Sequence, residues 1–121
     1  MASIFEATAG KLIGPTTGGT VTQATSKSTG VTLNAASGQI TMDDAALAAA
    51  AEVSFTVTNS EVSSTDVVVV NHGSGGTDGA YLVQANTIRD GSFAITVANV
   101  SAGSLGEAIV LNYVALKGAS S

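Results

Sequence analysis

The 121-residue chain contains no cysteine and no tryptophan, a single proline, and one histidine. Without thiols there is no disulfide, no thiolate metal site and no cysteine nucleophile. Stability must therefore come from packing or from partners. Aromatic residues make up 4% of the chain, so an aliphatic core of Val, Ile, Leu and Ala is expected. Charged residues are 11%, against about a quarter in ordinary soluble domains. A free monomer uses charge to stay soluble and to protect its sheet edges. So little charge, with a positive mean hydropathy, predicts surface buried in an assembly. The alternative is an ordinary sandwich surfaced with Ser, Thr and Asn.

The net charge is −5. Lys11, Lys27, Arg89 and Lys117 are scattered, and no basic run offers the concentrated positive footprint that nucleic acid requires. No run approaches the ~18 apolar residues of a membrane span. The first residues show no basic leader followed by an apolar stretch of signal-peptide length. Synthesis in the cytoplasm follows as an expectation, with any exit from the cell occurring as part of a larger particle.

What is present is strand. From Glu52 to Asn71, Val53, Phe55 and Val57 alternate with Ser54, Thr56 and Thr58. A period of two marks a half-buried strand. Val67 to Val70 form a β-branched run, which suits a strand covered on both faces. The polar residues 59–66 between them read as a loop. Thr20 to Lys27 is a Thr-rich edge or surface strand. Val31–Asn34 and Gly38–Met42 are short strands that could form a small hairpin. Residues 80–88 and 92–99 are strands joined through Asp90-Gly91, a strong hairpin turn. Ala108 to Leu116 is apolar on both faces and belongs near the centre of a sheet. Alanine-rich Asp43–Ala51 is the one helical signal, predicting one short helical turn or two, or a compact loop, across one end of the sandwich.

These elements predict an all-β fold, an antiparallel β-sandwich of jelly-roll or immunoglobulin-like type. The expected organisation is an N-terminal arm over 1–19, a sandwich domain over 20–118 and a short tail over 119–121. There is also an internal echo. An alternating strand ends at Asn59, an acidic Asp66 follows, and an aliphatic strand closes at Asn71. The same order recurs with Asn99, Glu107 and Asn112.

Candidate chemistry is thin. His72 beside the glycine-rich 73–79 loop lacks a G-x-S-x-G elbow or any other nucleophile signature. The glycine loop matches neither phosphate-binding pattern, and Asp78 alone cannot supply the six to eight oxygens of a calcium site. Asp43 and Asp44 read as caps rather than acid/base partners. Arg89-Asp90-Gly91 reads as a hairpin tip. Asn99-Val100-Ser101 is a formal glycosylation sequon, without meaning in the absence of secretion. No catalytic, cofactor or metal residue is expected, and no enzymatic activity.

The runs G-G-T-V-T-Q-A-T-S-K-S-T-G-V-T-L-N (Gly18 to Asn34), G-Q-I-T-M (Gly38 to Met42), V-S-F-T-V-T-N-S (Val53 to Ser60), D-V-V-V-V-N (Asp66 to Asn71) and S-A-G-S-L-G-E-A-I-V-L-N-Y (Ser101 to Tyr113) resemble a bacteriophage virion protein family. It includes capsid decoration (cement) proteins and modules of tail-associated proteins. The resemblance covers residues 18 to 118 and leaves Met1 to Thr17 unmatched. It implies a non-enzymatic β-sandwich on the capsid exterior, acting as a dimer or trimer that clamps the major capsid protein. Ile4, Phe5, Leu12 and Ile13 are then the candidate capsid contacts, since an arm carrying them is poorly suited to full solvation. The alternative is a tail or fibre module that binds a host-surface glycan, which the shortage of aromatic rings disfavours.

Overall fold

A computed structural model describes residues 18–118. The strands are β1 (Gly18–Thr22), β2 (Val31–Thr32), β3 (Ser37–Thr41), β4 (Glu52–Thr58), β5 (Val67–Ser74), β6 (Tyr81–Arg89), β7 (Ser92–Asn99) and β8 (Val110–Leu116). They form two four-stranded sheets, ordered β1-β3-β8-β5 and β2-β4-β7-β6. The sheets face each other as a sandwich. Strand alternation decides what lies between them. Phe55 and Val57 of β4, Phe93, Ile95 and Val97 of β7, Ile40 of β3, and Leu111 and Tyr113 of β8 all point inward and are buried. Phe93 and Tyr113 meet across the gap with ring centroids 5.4 Å apart and planes tilted by 57°, a geometry that favours aromatic pairs.

The alternating strand at 53–58 and the hairpin at Asp90-Gly91 are as expected. Gly91 has φ +87°, which a turn of this kind requires. β8 is central, flanked by β3 and β5, so its two-sided apolarity is explained.

Four expectations need correction. The sandwich is mixed rather than purely antiparallel, because β1 pairs with β3 and β2 with β4 in parallel. The short strands at 31–34 and 38–42 do not form a hairpin, since β2 and β3 belong to opposite sheets. The Val67–Val70 run is not covered on both faces. It opens β5, the outer strand of its sheet, and Val67 and Val69 are 55% and 48% exposed.

Lastly, the described residues contain no helix, and Asp43–Ala51 is extended with a turn. Leu47 is buried and bonds through both its N–H and its C=O to Leu105, at 2.8 and 3.0 Å. Asp43 Oδ1 accepts the Ala45 amide at 2.8 Å, which closes a local turn instead of starting a helix. Nine residues of good propensity are too few to nucleate a helix against such tertiary bonds.

Candidate interaction surface

Each sheet has an outer face, and the registers fix its composition. On the β1-β3-β8-β5 sheet the outward rows run straight across. One row is Gly18, Ser37, Val114, Val69, and the next is Thr20, Gln39, Asn112, Asn71. Thr22, Thr41 and Val110 follow in one direction, and Leu116 beside Val67 in the other. No Asp, Glu, Lys or Arg occupies these described positions. At the β5–β8 corner, Val67, Val69 and Leu116 form an exposed apolar group. Beside it Asn112 lies over Gly73, where a Cβ would collide with the Asn112 amide.

The outer face of the other sheet differs. Its rows carry Glu52 and Arg89, and hydroxyls and amides are tied to one another across strands. Ser54 Oγ and Thr96 Oγ1 are 2.7 Å apart, and Asn86 donates to Thr96 Oγ1 at 3.0 Å. Taking a fixed charge out of water is costly, whereas Thr, Asn and Val desolvate with little penalty. The charge-free face is therefore the better suited of the two to broad burial against another protein. Interface centres are depleted in charge in the same way.

The polar residues of the echo hold the scaffold rigid. Asn59 follows β4 and Asn99 ends β7, where the chain crosses between sheets, and both are fully buried. Asn59 donates to Ala35 O at 2.7 Å and to Tyr113 Oη at 3.2 Å, and accepts the Glu61 amide at 2.9 Å. Asn99 donates to Leu47 O and Gly103 O, both at 2.8 Å, and accepts the Ser101 amide at 2.9 Å. The acidic partners of the echo act alike. Asp66 accepts from Lys117 Nζ and from the Ser63 amide, each at 2.9 Å. Lys117 and Ser63 hold its carboxyl well below the usual carboxylate range. Glu107 accepts from Tyr81 Oη at 2.7 Å and from Thr77 Oγ1 and N at 2.8 and 3.0 Å. These bonds lower the pKa of Glu107 in the same sense. Burial, followed by the Glu107 bond, raises that of Tyr81.

The candidates named from sequence fall as follows. Ile4, Phe5, Leu12 and Ile13 lie outside the described residues. His72 packs edge-on against Tyr81 at 5.5 Å, with Nε2–H directed at the Gly75 and Ser74 carbonyls. It does not meet a serine and a carboxylate in triad order. Asp78 is exposed in the β5–β6 loop. Among the described residues no group of three or more His, Asp or Glu side chains could hold a metal ion, and no helix is long and apolar enough to cross a membrane.

Lys27 was invisible to pattern reading. It sits in a polar turn sequence yet is only 4% exposed. Its ammonium donates to the main-chain carbonyls of Glu107, at 2.6 Å, and Asp43. Burial lowers its pKa, and Asp43, Asp44 and Glu107 oppose that. In comparisons with protein-family models, curated proteins and solved structures, nothing matches the chain.

Proposed function

We propose that the chain is a bacteriophage capsid decoration (cement) protein, which binds the outer surface of the shell and stabilises it by bridging capsid subunits. The observation that carries this reading is the charge-free outer face of the β1-β3-β8-β5 sheet, with Val67, Val69 and Leu116 exposed at its corner. The sequence resemblance and the low overall charge support the same reading. Burying apolar area across subunit junctions contributes ~25 cal/mol per Å². A ligand that binds only the intact lattice shifts the balance against its rupture. The partner is the major capsid protein, and the module works as a dimer or trimer on the virion exterior. Neither nucleic acid nor membrane takes part.

The glycan-binding alternative loses support from burial. Phe55, Tyr81, Phe93 and Tyr113 are all inside the sandwich. None of these rings is open for a sugar to stack on.

Purified chain added to undecorated phage shells should co-sediment with them. Removing Met1 to Ile13 from the full chain separates two sources of contact. Loss of coating assigns the contact to Ile4, Phe5, Leu12 and Ile13. Full coating by the shortened chain rules out the arm and leaves the sheet face as the contact.

A further inference from the structure

The outer face of the second sheet carries a shallow pocket of about 230 Å³, lined by Thr56, Thr87, Arg89, Ser92, Phe93 and Ala94. A bulge creates it. Between β6 and β7 the register is regular to Asn86, opposite Ala94, and then shifts so that Arg89 faces Ser92. In unbroken alternation Ile88 would share the outer face with Asn86, and Arg89 would point into the core. The extra residue reverses this. Ile88 packs against the core and Arg89 emerges outside. Thr87 adopts φ +53° to allow it, an unfavourable conformation for a β-branched residue. Bulges commonly re-aim a side chain in this way.

The re-aimed guanidinium has no hydrogen bond or ion pair among the described residues. Asp90, next in the chain, directs its Oδ1 to the Ser64 amide at 2.9 Å. No acidic residue lines the pocket. Its contents are one cation and three hydroxyls around a small apolar floor.

We propose that this pocket binds a carboxylate, the side chain of an aspartate or glutamate on the surface of a partner protein. Arg89 would engage it through the planar fork that matches a carboxylate in two parallel bonds, with the hydroxyls of Thr56 and Ser92 as further donors, the Thr87 hydroxyl being directed to Asn86 Oδ1 at 3.0 Å. A single cation suits a monoanion better than a phosphate dianion. The volume lies below the ~300–1,000 Å³ of small-molecule sites, so it admits one side chain rather than a larger ligand. The choice of a protein as the source rests on the assembly role proposed above. The carboxylate chemistry does not.

The test is an amide chemical-shift titration of the ¹⁵N-labelled full chain. The probes are N-acetyl-glutamate N′-methylamide, its glutamine counterpart and glucuronate. The glutamate probe is expected to shift the amides of Thr87, Arg89 and Ser92 saturably, and the glutamine probe is not. Arg89→Gln should weaken binding by about tenfold or more, with the rest of the spectrum unchanged. Equal shifts from the glutamine probe, no effect of Arg89→Gln, or saturation by glucuronate alone would each overturn the proposal. A wild-type chain that titrates with the glutamate probe but does not bind shells would sink the decoration role and leave the pocket standing.

Discussion

Val67 and Leu116 stand opposite each other across the β5–β8 ladder, and both are exposed, at 55% and 40%. With Val69 they give the charge-free sheet face its apolar corner. Replacing all three by serine removes that corner without touching the core. Surface changes of this kind usually move stability by only about 0.5 kcal/mol each. The triple variant is therefore expected to lose no more than about 1.5 kcal/mol of stability and to stay folded, yet bind undecorated shells at least about tenfold more weakly, a loss of ~1.4 kcal/mol. Calorimetry and a shell-binding isotherm on the same preparation check both halves.

Asn59 and Asn99 should be the most sensitive polar positions. Each satisfies two donors and an acceptor at a fully buried crossing between sheets. Asn59→Ala or Asn99→Ala leaves the Glu61 or Ser101 amide without its acceptor and removes two bonds to oxygens that each keep one other partner, at about 1–3 kcal/mol. Melting temperatures lower by roughly 10 °C are expected for a domain of this size. Asn99→Asp should be worse than Asn99→Ala, because the carboxylate would face the Leu47 and Gly103 carbonyls. A thermal melt in which the order reverses would show that the amide donors matter little.

Much of this was legible in the sequence. The echo of Asn59 and Asn99 was visible as pattern, and the structure gives it a mechanism. The period-two strands at 53–58 and 92–99 were readable because one face packs and the other is wet. What failed had no local signal. Val67–Val70 reads as buried from composition alone, since β-branched residues suit an edge strand and a central strand equally. Ala45–Ala51 carries helix propensity that the Leu47–Leu105 bonds override. The buried ammonium of Lys27 depends on carbonyls 16 and 80 residues away. The candidate contact face appears only once register places Thr20, Gln39, Asn112 and Asn71 in one row.

Acid should weaken the fold through Asp66. Its side chain is almost fully buried, and Lys117 and the Ser63 amide depress its pKa in the folded state. A group depressed on folding contributes stability above its unfolded pKa of ~3.9, and that contribution disappears as pH falls below this value. Lys117 is 68% exposed, so solvent screens part of the ion pair and the amide bonds carry more weight. Wild type should lose denaturant stability between about pH 4 and pH 2. Asp66→Asn, less stable at neutral pH, should lose less over the same interval. Parallel curves for the two proteins would rule out Asp66 as the source.

Alkali should weaken it through Tyr113. Burial pushes the phenol up to about 12, although the Asn59 amide opposes that. A group raised on folding stabilises fully below its unfolded pKa of ~10, and the contribution is lost as pH rises toward the folded value. Unfolding should thus become easier above pH ~10, with phenolate absorbance appearing in step with loss of the fold. Tyr113→Phe should lessen that alkaline limb without abolishing it, because the Tyr81 phenol is raised on folding as well. A phenolate signal that precedes unfolding would place Tyr113 in solvent.

The most direct measurement is co-sedimentation of the purified full chain with undecorated phage shells, counting copies bound per shell as concentration rises. Saturable binding at a stoichiometry matching the shell's symmetry, lost in the Val67→Ser, Val69→Ser, Leu116→Ser variant, is the predicted result. Absence of binding, or binding that never saturates and ignores those three substitutions, would contradict the decoration role.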